Sequence, residues 1–472
     1  MTQDTSLKGA RPGQIMALLF TGVFMGALDI SIIGPVLHPI QKSIEITVKD
    51  LGWVYSIYVL FNLIGISFFA RLSDIYGRRH IYMINIALFG IGSLLVAFSH
   101  DYGILLLGRA VQGFGASGIF PVASAVIGDV FPTEKRGRML GLIGAVWGIA
   151  FLVGPPLAGL MLYFFEWHVL FLINIPIALV VLYYSNRMLP SVKIDKPSSL
   201  DPKGIIILGL LLGCFTYGMN NLQSKSLSEG FQSPEVWPFF LASILLTIFL
   251  INLEKHSPKP LINIKLFKSR QIRIVVVIGF LVGLLQSCFV FIPHMAGDAF
   301  HTTPAKASFM LVPFVVAMAI GSPLFGRMLD KTGSKLVILI GLVLMIISTI
   351  LLSLYTSQFA IFITAGVFFG LGLSILSGSS LRYIMLNEVD IHQRALTQGL
   401  LTIFVSMGQI TGGAVVSGMV ARYVIMLDGY QSVFVSMSVL IGGVLFYSFW
   451  LRNKKEEKDF IKKHTANASK SM

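Results

Sequence analysis

Three ionisable side chains, Asp29, Arg109 and Arg382, interrupt long apolar runs of this chain. A charge at membrane depth costs several kcal/mol unless it meets a partner or a wet cavity, so these three positions are where chemistry is to be sought. Asp29 falls about seven residues from one end of its run and Arg109 about six from the corresponding end of its own; at about 1.5 Å per residue the two share a depth. A carboxyl is neutral when stripped of water and ionised beside a cation. Asp29 protonated in one state and paired with Arg109 in another would couple proton movement to a conformational cycle. A permanent Asp29–Arg109 pair that never exchanges its proton is the structural alternative, and both readings make loss of one partner harmful. Arg382 stands about four residues inside the opposite end of its run. It suits an anionic substrate group or a carboxylate partner, and equally a side chain that snorkels to the interface. Asn62, Gln112, Asn174, Gln286 and Gln409 are further candidates for a substrate cavity, although amides also hold helices together without touching cargo.

The elements that carry these residues follow from composition. With 55% hydrophobic and 12% charged residues, a chain of this length does not pack as a water-soluble globule. Fourteen windows of the length a helix needs to cross a bilayer recur along it, which predicts an all-α polytopic membrane protein. The first window contains Asp29 and reads as a retained span rather than a leader peptide. Of the 36 Lys and Arg, 29 fall at the two termini and in every second loop, five in the opposite loops and two within spans. Positive loops stay in the cytoplasm, so both termini are expected there, in a plasma (cytoplasmic) membrane protein. The net charge of +14 is then a topology signal, and no nucleic-acid partner is implied. The basic tail after residue 451 either rests on anionic lipid or is simply solvated. Cys214 and Cys288 lie in apolar runs, which suggests neither a disulfide framework nor a metal site.

The chain also repeats itself. Asp74, Gly77 and Arg79, with Arg78 beside them, reappear as Asp330, Gly333 and Lys335, each displaced by 256 residues (74 to 330, 77 to 333, 79 to 335). Each copy is a short polar turn between two spans, in which glycine permits the turn and the cations stay in water. A second word, Gly141, Ala150, Gly154 and Pro155, reappears as Gly399, Gly408, Gly412 and Gly413 with a displacement of 258 (141 to 399, 155 to 413). Two words at nearly one offset divide the spans as six, two and six. The expected organisation is a cytoplasmic N-terminus (1–13), a six-helix bundle (14–187), a linker with helices 7 and 8 (188–272), a second six-helix bundle (273–451) and a basic cytoplasmic tail (452–472).

These words carry a resemblance. Asp74 to Arg79 resembles the loop motif between spans 2 and 3 of the major facilitator superfamily. Gly141, Ala150, Gly154, Pro155, Ala158 and Gly159 resemble the span-5 motif of its antiporters. Leu28-Asp29, Arg109-x2-Gln112-Gly113 and Trp167-x6-Asn174-Ile175-Pro176 are similar to the fourteen-span drug:proton antiporter branch. Departures are Ala70, Ala150 and Ala158 for glycine, His168 where an Arg commonly follows Trp167, and a span 13 without the acidic residue of some multidrug members. The resemblance implies alternating access, proton-driven exchange, a tight helix seam at Gly141, Ala150, Gly154, Pro155 and Gly159, and a conformational latch at Asp74, Gly77, Arg78, Arg79, Asp330, Gly333 and Lys335. A carboxylate against a helix N-terminus of the other bundle, with Arg78 or Arg79 bracing across, is the physics of such a latch. Asp129, Glu134, Arg136 and Arg138 either join it or form a merely solvated loop.

No Gly-x4-Gly-Lys-Ser/Thr cassette and no HExxH zinc motif occur in the sequence. An enzyme is not expected and no cofactor is implied; the energy source is the proton gradient, to which the electrical potential adds about 2.3 kcal/mol per charge per 100 mV. The reading is a monomeric secondary transporter that exports amphipathic or hydrophobic small molecules, its partners being substrate, protons and lipid. An exporter of a lipid or lipid-like metabolite is the alternative, and a sensor or scaffold that kept the fold but not transport is a third reading.

Overall fold

The computed structural model describes residues 12–46, 48–190, 202–222, 232–256, 264–302, 304–389, 393–420 and 423–460. With no water in the hydrocarbon layer to satisfy backbone N–H and C=O groups, long apolar segments close their hydrogen bonds internally as helices. The crossings are α1 (Pro12–Ile44), α2 (Val48–Tyr76), α3 (Arg78–Ala97), α4 (Tyr102–Val130), α5 (Thr133–Phe164), α6 (His168–Met188), α7 (Pro202–Leu222), α8 (Trp237–His256), α9 (Arg270–Phe300), α10 (Val312–Thr332), α11 (Ser334–Leu354), α12 (Phe359–Asn387), α13 (Arg394–Val420) and α14 (Met426–Ser448). Thirteen are long and apolar enough to span by themselves; α7 joins them through a shorter apolar stretch, Lys203–Met219.

Two six-helix bundles, α1–α6 and α9–α14, are built to one plan. In the first, α1 packs on α5 and α4 on α2 and α3; in the second, α9 packs on α13 and α12 on α10 and α11. The bundles meet along α5 with α10 and along α2 with α13. Helices α7 and α8 pack on each other, and α7 lies on both α2 and α13. Leu208, Leu211 and Leu212 of α7 share one apolar cluster with Leu63 and Ile66 of α2 and Ile403 of α13, so the extra hairpin covers one of the two seams between bundles.

Several helices depart from the windows read from sequence. Helix α1 runs past residue 36 to Ile44, through Pro35 and Pro39, and α9 runs past 293 to Phe300, through Pro293. Each proline removes one N–H, yet flanking apolar residues such as Val36 and Ile40 are fully buried and packing holds the helix together. Helix α4 is interrupted at Ser117–Gly118, where the Asn85 side chain accepts from the Gly118 N–H (3.0 Å). Helix α12 contains a π-helical turn, Ile375–Ser380, which nothing in the sequence announced. The polar turns form as expected: Gly77 and Gly333 both adopt positive φ (92° and 87°), which a side chain would resist.

Candidate functional site

The carboxylate of Asp29 on α1 is fully enclosed by the first bundle. Its Oδ2 accepts from Arg109 Nη1 of α4 (3.0 Å), and its Oδ1 accepts from Gln112 Nε2 of α4 (2.7 Å) and Asn174 Nδ2 of α6 (3.4 Å). Ser93 Oγ of α3 accepts from Gln112 (2.8 Å) and Asn174 (3.1 Å). Arg109 also donates from Nη1 to Gln112 Oε1 (2.6 Å) and from Nε to the Val54 carbonyl (3.2 Å), with its guanidinium 4.2 Å from the Tyr58 ring centroid. Asp29, Arg109, Gln112 and Ser93 are 0% exposed. Arg109 and Gln112, three apart, share one helix face. Gly92 lets that face approach α3: a Cβ there would lie 2.4 Å from the Gln112 backbone nitrogen.

Such a site is held by five polar side chains from four helices, which is how a buried ion pair repays its desolvation. It is also close to balance. The Arg109 Nη2 and the Tyr58 hydroxyl are buried without a hydrogen-bond partner, so a change at one member redistributes the rest. Gln112 and Asn174, grouped in the sequence with the substrate cavity, are placed here on Asp29. Asn62 donates to the Gly113 carbonyl (3.2 Å) and ties α2 to α4. Gln286 is half-buried on α9 and Gln409 exposed on α13, away from that cluster. His168 stacks on Trp167 with ring centroids 3.8 Å apart.

At the cation-rich end the two bundles are closed on each other. Asp74, at the end of α2, accepts from the backbone N–H of Ala395 (3.3 Å) and Leu396 (2.9 Å) in the first turn of α13. Asp330, at the end of α10, accepts from the N–H of Gly137 (2.9 Å) and Arg138 (3.0 Å) near the start of α5. The duplicated word therefore makes a duplicated contact, a carboxylate at a helix N-terminus of the opposite bundle, where the dipole favours it. Arg78 pairs with Asp74 and with Asp129 (3.1 Å) in its own bundle. The brace across the seam comes from Arg394 of α13, bonded to Asp129 (2.8 Å) and the Gly128 carbonyl (2.6 Å). Arg394 was not singled out in the sequence; its place as the lone cation between α12 and α13 was the available signal. Arg136 donates across to Asn387 (2.9 Å). Arg79 turns instead to Asn186 of its own bundle and Lys335 to the Phe449 carbonyl (2.6 Å), so neither bridges the bundles here.

The small-residue helix α5 serves two partners in succession. Near its start, a Cβ on Gly141 would come 2.5 Å from the Ser322 carbonyl of α10. Further along, a Cβ on Gly154 would come 1.9 Å from Ser31 Oγ of α1, inside its own bundle; Ala150 is fully buried, and Gly159 has nothing within 4 Å. Helix α13 repeats this: Gly399 faces Ala70 and Ile66 of α2 across the seam, while Gly408 and Gly412 face α9. The resemblance implied that the α5 seam packs against the other half of the molecule, and this is corrected for Gly154, which packs on Ser31 of its own bundle. Only the stretch near the cation-rich end crosses, because there the bundles touch.

Arg382, near the end of α12, is 6% exposed. Its guanidinium carbon lies 4.0 Å from the ring centroid of Phe120, on α4 of the first bundle. Burial at this level rules out snorkelling in this conformation, and no carboxylate among the described residues lies within ion-pair distance of it.

A duplicated six-helix architecture, polar side chains buried at span depth and a charged seam closed at one end define a polytopic membrane transporter, not an enzyme. The sequence model of the Major Facilitator Superfamily matches residues 19–285 and 275–471, and the chain belongs to that superfamily. It is 30% identical over 413 residues to the uncharacterized MFS-type transporter YfiU of Bacillus subtilis (strain 168), covering 86% of this chain and 79% of that protein. To Multidrug resistance protein 3 of the same organism it is 27% identical over 415 residues, with the same coverage. Among solved structures, the human organic anion transporter MFSD10 superposes with a TM-score of 0.70 at 15% identity, over 93% of this chain and 100% of that one. The proton:xylose symporter XylE superposes with 0.66 at 14%, over 94% and 98%. These two share the fold.

Proposed function

We propose that this chain is a proton-coupled exporter of amphipathic or hydrophobic small molecules, working as a monomer by alternating access in the cytoplasmic membrane with both termini in the cytoplasm. The observation that carries the reading is the Asp29 cluster: a carboxylate with no exposed surface, shared between one cation and two amides that can each hold either of its charge states. The similarity to Multidrug resistance protein 3 supports the class of cargo. No cofactor enters; the proton gradient supplies the energy.

In this mechanism a proton on Asp29 removes the charge that holds Arg109 Nη1, and α1 is freed from α4. Ser31, two residues along α1, packs on Gly154 of α5, and the other end of α5 forms the seam with α10 through Gly137 and Gly141. A shift of α1 is thereby delivered to the seam that Asp330 and Asp74 hold shut. With the cation-rich end in the cytoplasm, the seam closed here is the inner one, and proton binding and release alternate with its opening.

The test is proton flux in reconstituted vesicles challenged with lipophilic cations, neutral amphiphiles and lipids, comparing the native chain with Asp29→Asn. Substrate-triggered flux that disappears in the variant is the expected result. Substrate movement with an unchanged proton signal in Asp29→Asn would remove Asp29 from coupling.

A further inference from the structure

Arg382 differs from the other buried and half-buried arginines of the ion-pair networks in what surrounds it. Arg109 faces Asp29, Arg394 faces Asp129, and Arg78 faces Asp74 and Asp129. Among the described residues Arg382 has only neutral company: Nη1 donates to Gln398 Oε1 (3.1 Å) and Nη2 to Thr402 Oγ1 (3.3 Å), both on α13, and the Phe120 ring covers it from the other bundle. These partners are themselves fixed. Gln398 Nε2 donates to the Arg382 carbonyl (3.0 Å), which turns its oxygen toward the guanidinium, and Thr402 spends its proton on the Gln398 carbonyl (2.9 Å).

A guanidinium carries five N–H donors, and the Nε of Arg382 is buried with no partner. In the turn just before it, the hydroxyls of Ser379 and Ser380 are also buried and unpartnered; Ser379, three residues back, lies on the face of α12 that bears Arg382. That turn is the π-helical one, a distortion that concentrates at functional sites. Unmatched buried donors around an uncompensated cation are costly. The guanidinium stands between the bundles, about one helical turn from the closed seam, where Leu386 lies against Gly128.

We propose that Arg382, with Ser379, binds the anionic head group of an amphiphilic cargo. The assignment rests on the transport reading and narrows it: the preferred substrates are acidic amphiphiles, and lipophilic cations are disfavoured by the same charge. Phe120 acts as the lid that the first bundle lays over the guanidinium while the site is empty. Phe120 leaves the cation when an anion takes its place.

The test is a binding equilibrium that needs no proton coupling, so it separates from failure of the transport reading, which shows in the Asp29→Asn flux assay. The full-length chain in phosphatidylcholine nanodiscs is titrated with three probes of one chain length: dodecanoate, dodecanol and dodecyltrimethylammonium. Expected is tighter binding of dodecanoate than of the other two, a preference weakened roughly tenfold to a hundredfold in Arg382→Gln, the value of about one charge-assisted hydrogen bond, and largely kept in Arg382→Lys. A photoreactive dodecanoate should label the native chain between residues 375 and 402, which keeps the test decisive if Arg382→Gln does not fold. Equal binding of the three head groups, a preference unchanged in Arg382→Gln, or labelling elsewhere would overturn the proposal. Replacing part of the phosphatidylcholine by phosphatidylglycerol distinguishes the source of the anion: suppressed labelling points to a lipid head group, undiminished labelling to a free amphiphile.

Discussion

Asp29 and Arg109 share burial and a network, and loss of either leaves the charge of the other unpaired. Removing Arg109 leaves an ionised carboxylate in a dry bundle, and breaking a buried pair from one side costs about 3–5 kcal/mol. Arg109→Gln should therefore unfold well below the native chain in a thermal melt. Asp29→Asn/Arg109→Gln should regain most of the difference, because the orphaned charge is gone. Equal melting of the single and double variants would show that the carboxyl takes up a proton once Arg109 is gone. Arg109→Lys should recover only part, since an ammonium lacks the planar fork that reaches Asp29, Gln112 and the Val54 carbonyl together.

Helices α5 and α10 cross so closely that a single methyl decides their relation. A Cβ on Gly326 would come 2.6 Å from the Gly137 carbonyl, whereas Gly443 on α14 has nothing within 4 Å. Gly326→Ala should shift the population toward the conformation open at the cation-rich end by about tenfold or more, equivalent to about 1.4 kcal/mol. Accessibility of a cysteine placed at exposed Lys331 or Lys135 would read the shift, with Gly443→Ala leaving it unchanged. The tail is a second element with a legible dependence. The helix after Asn453 brings Glu457 to Ser334, which donates from both N–H (3.1 Å) and Oγ (2.9 Å). Burial pushes the Glu457 carboxyl above its ordinary 4.5 in spite of these bonds. The docked tail therefore holds the proton more tightly than the free one, so docking is strongest below pH 4.5 and weakens as the pH rises through the raised value. A fluorophore at exposed position 458 should report that loss, and Glu457→Gln should abolish its pH dependence.

Across the whole molecule, the two duplicated carboxylates hold one equilibrium from two places. Asp74 secures α13 to the first bundle and Asp330 secures α5 to the second. Each contact joins ionised oxygens to backbone donors, a bond of about 1.5–3 kcal/mol. Asp74→Asn and Asp330→Asn should each favour the open seam by about tenfold to a hundredfold. Sharing no partner, they should act additively in the double variant. Distance measurements between spin labels on the two bundles would check both statements; a double variant no more open than either single one would mean that the two contacts break as a unit. The closed seam leaves the α7–α8 hairpin in contact with α2 and α13, so any opening along α2 must also slide past it.

Depth, sign and repetition were written in the amino-acid sequence. Apolar run length sets the number of crossings, the alternation of cations sets the expected orientation, and the displaced words set the two bundles and the positive-φ turns at Gly77 and Gly333. The shared depth of Asp29 and Arg109 followed from rise per residue alone. What only the tertiary structure decided is which way each helix is turned about its own axis. One residue's advance rotates a helix face by about 100° while moving it only about 1.5 Å, so residues at one depth can face partner, cavity or lipid. That rotation placed Gln112 and Asn174 on Asp29 and sent Arg79 and Lys335 away from the seam. It also gave Arg394 the brace between bundles and enclosed Arg382 with no carboxylate partner among the described residues.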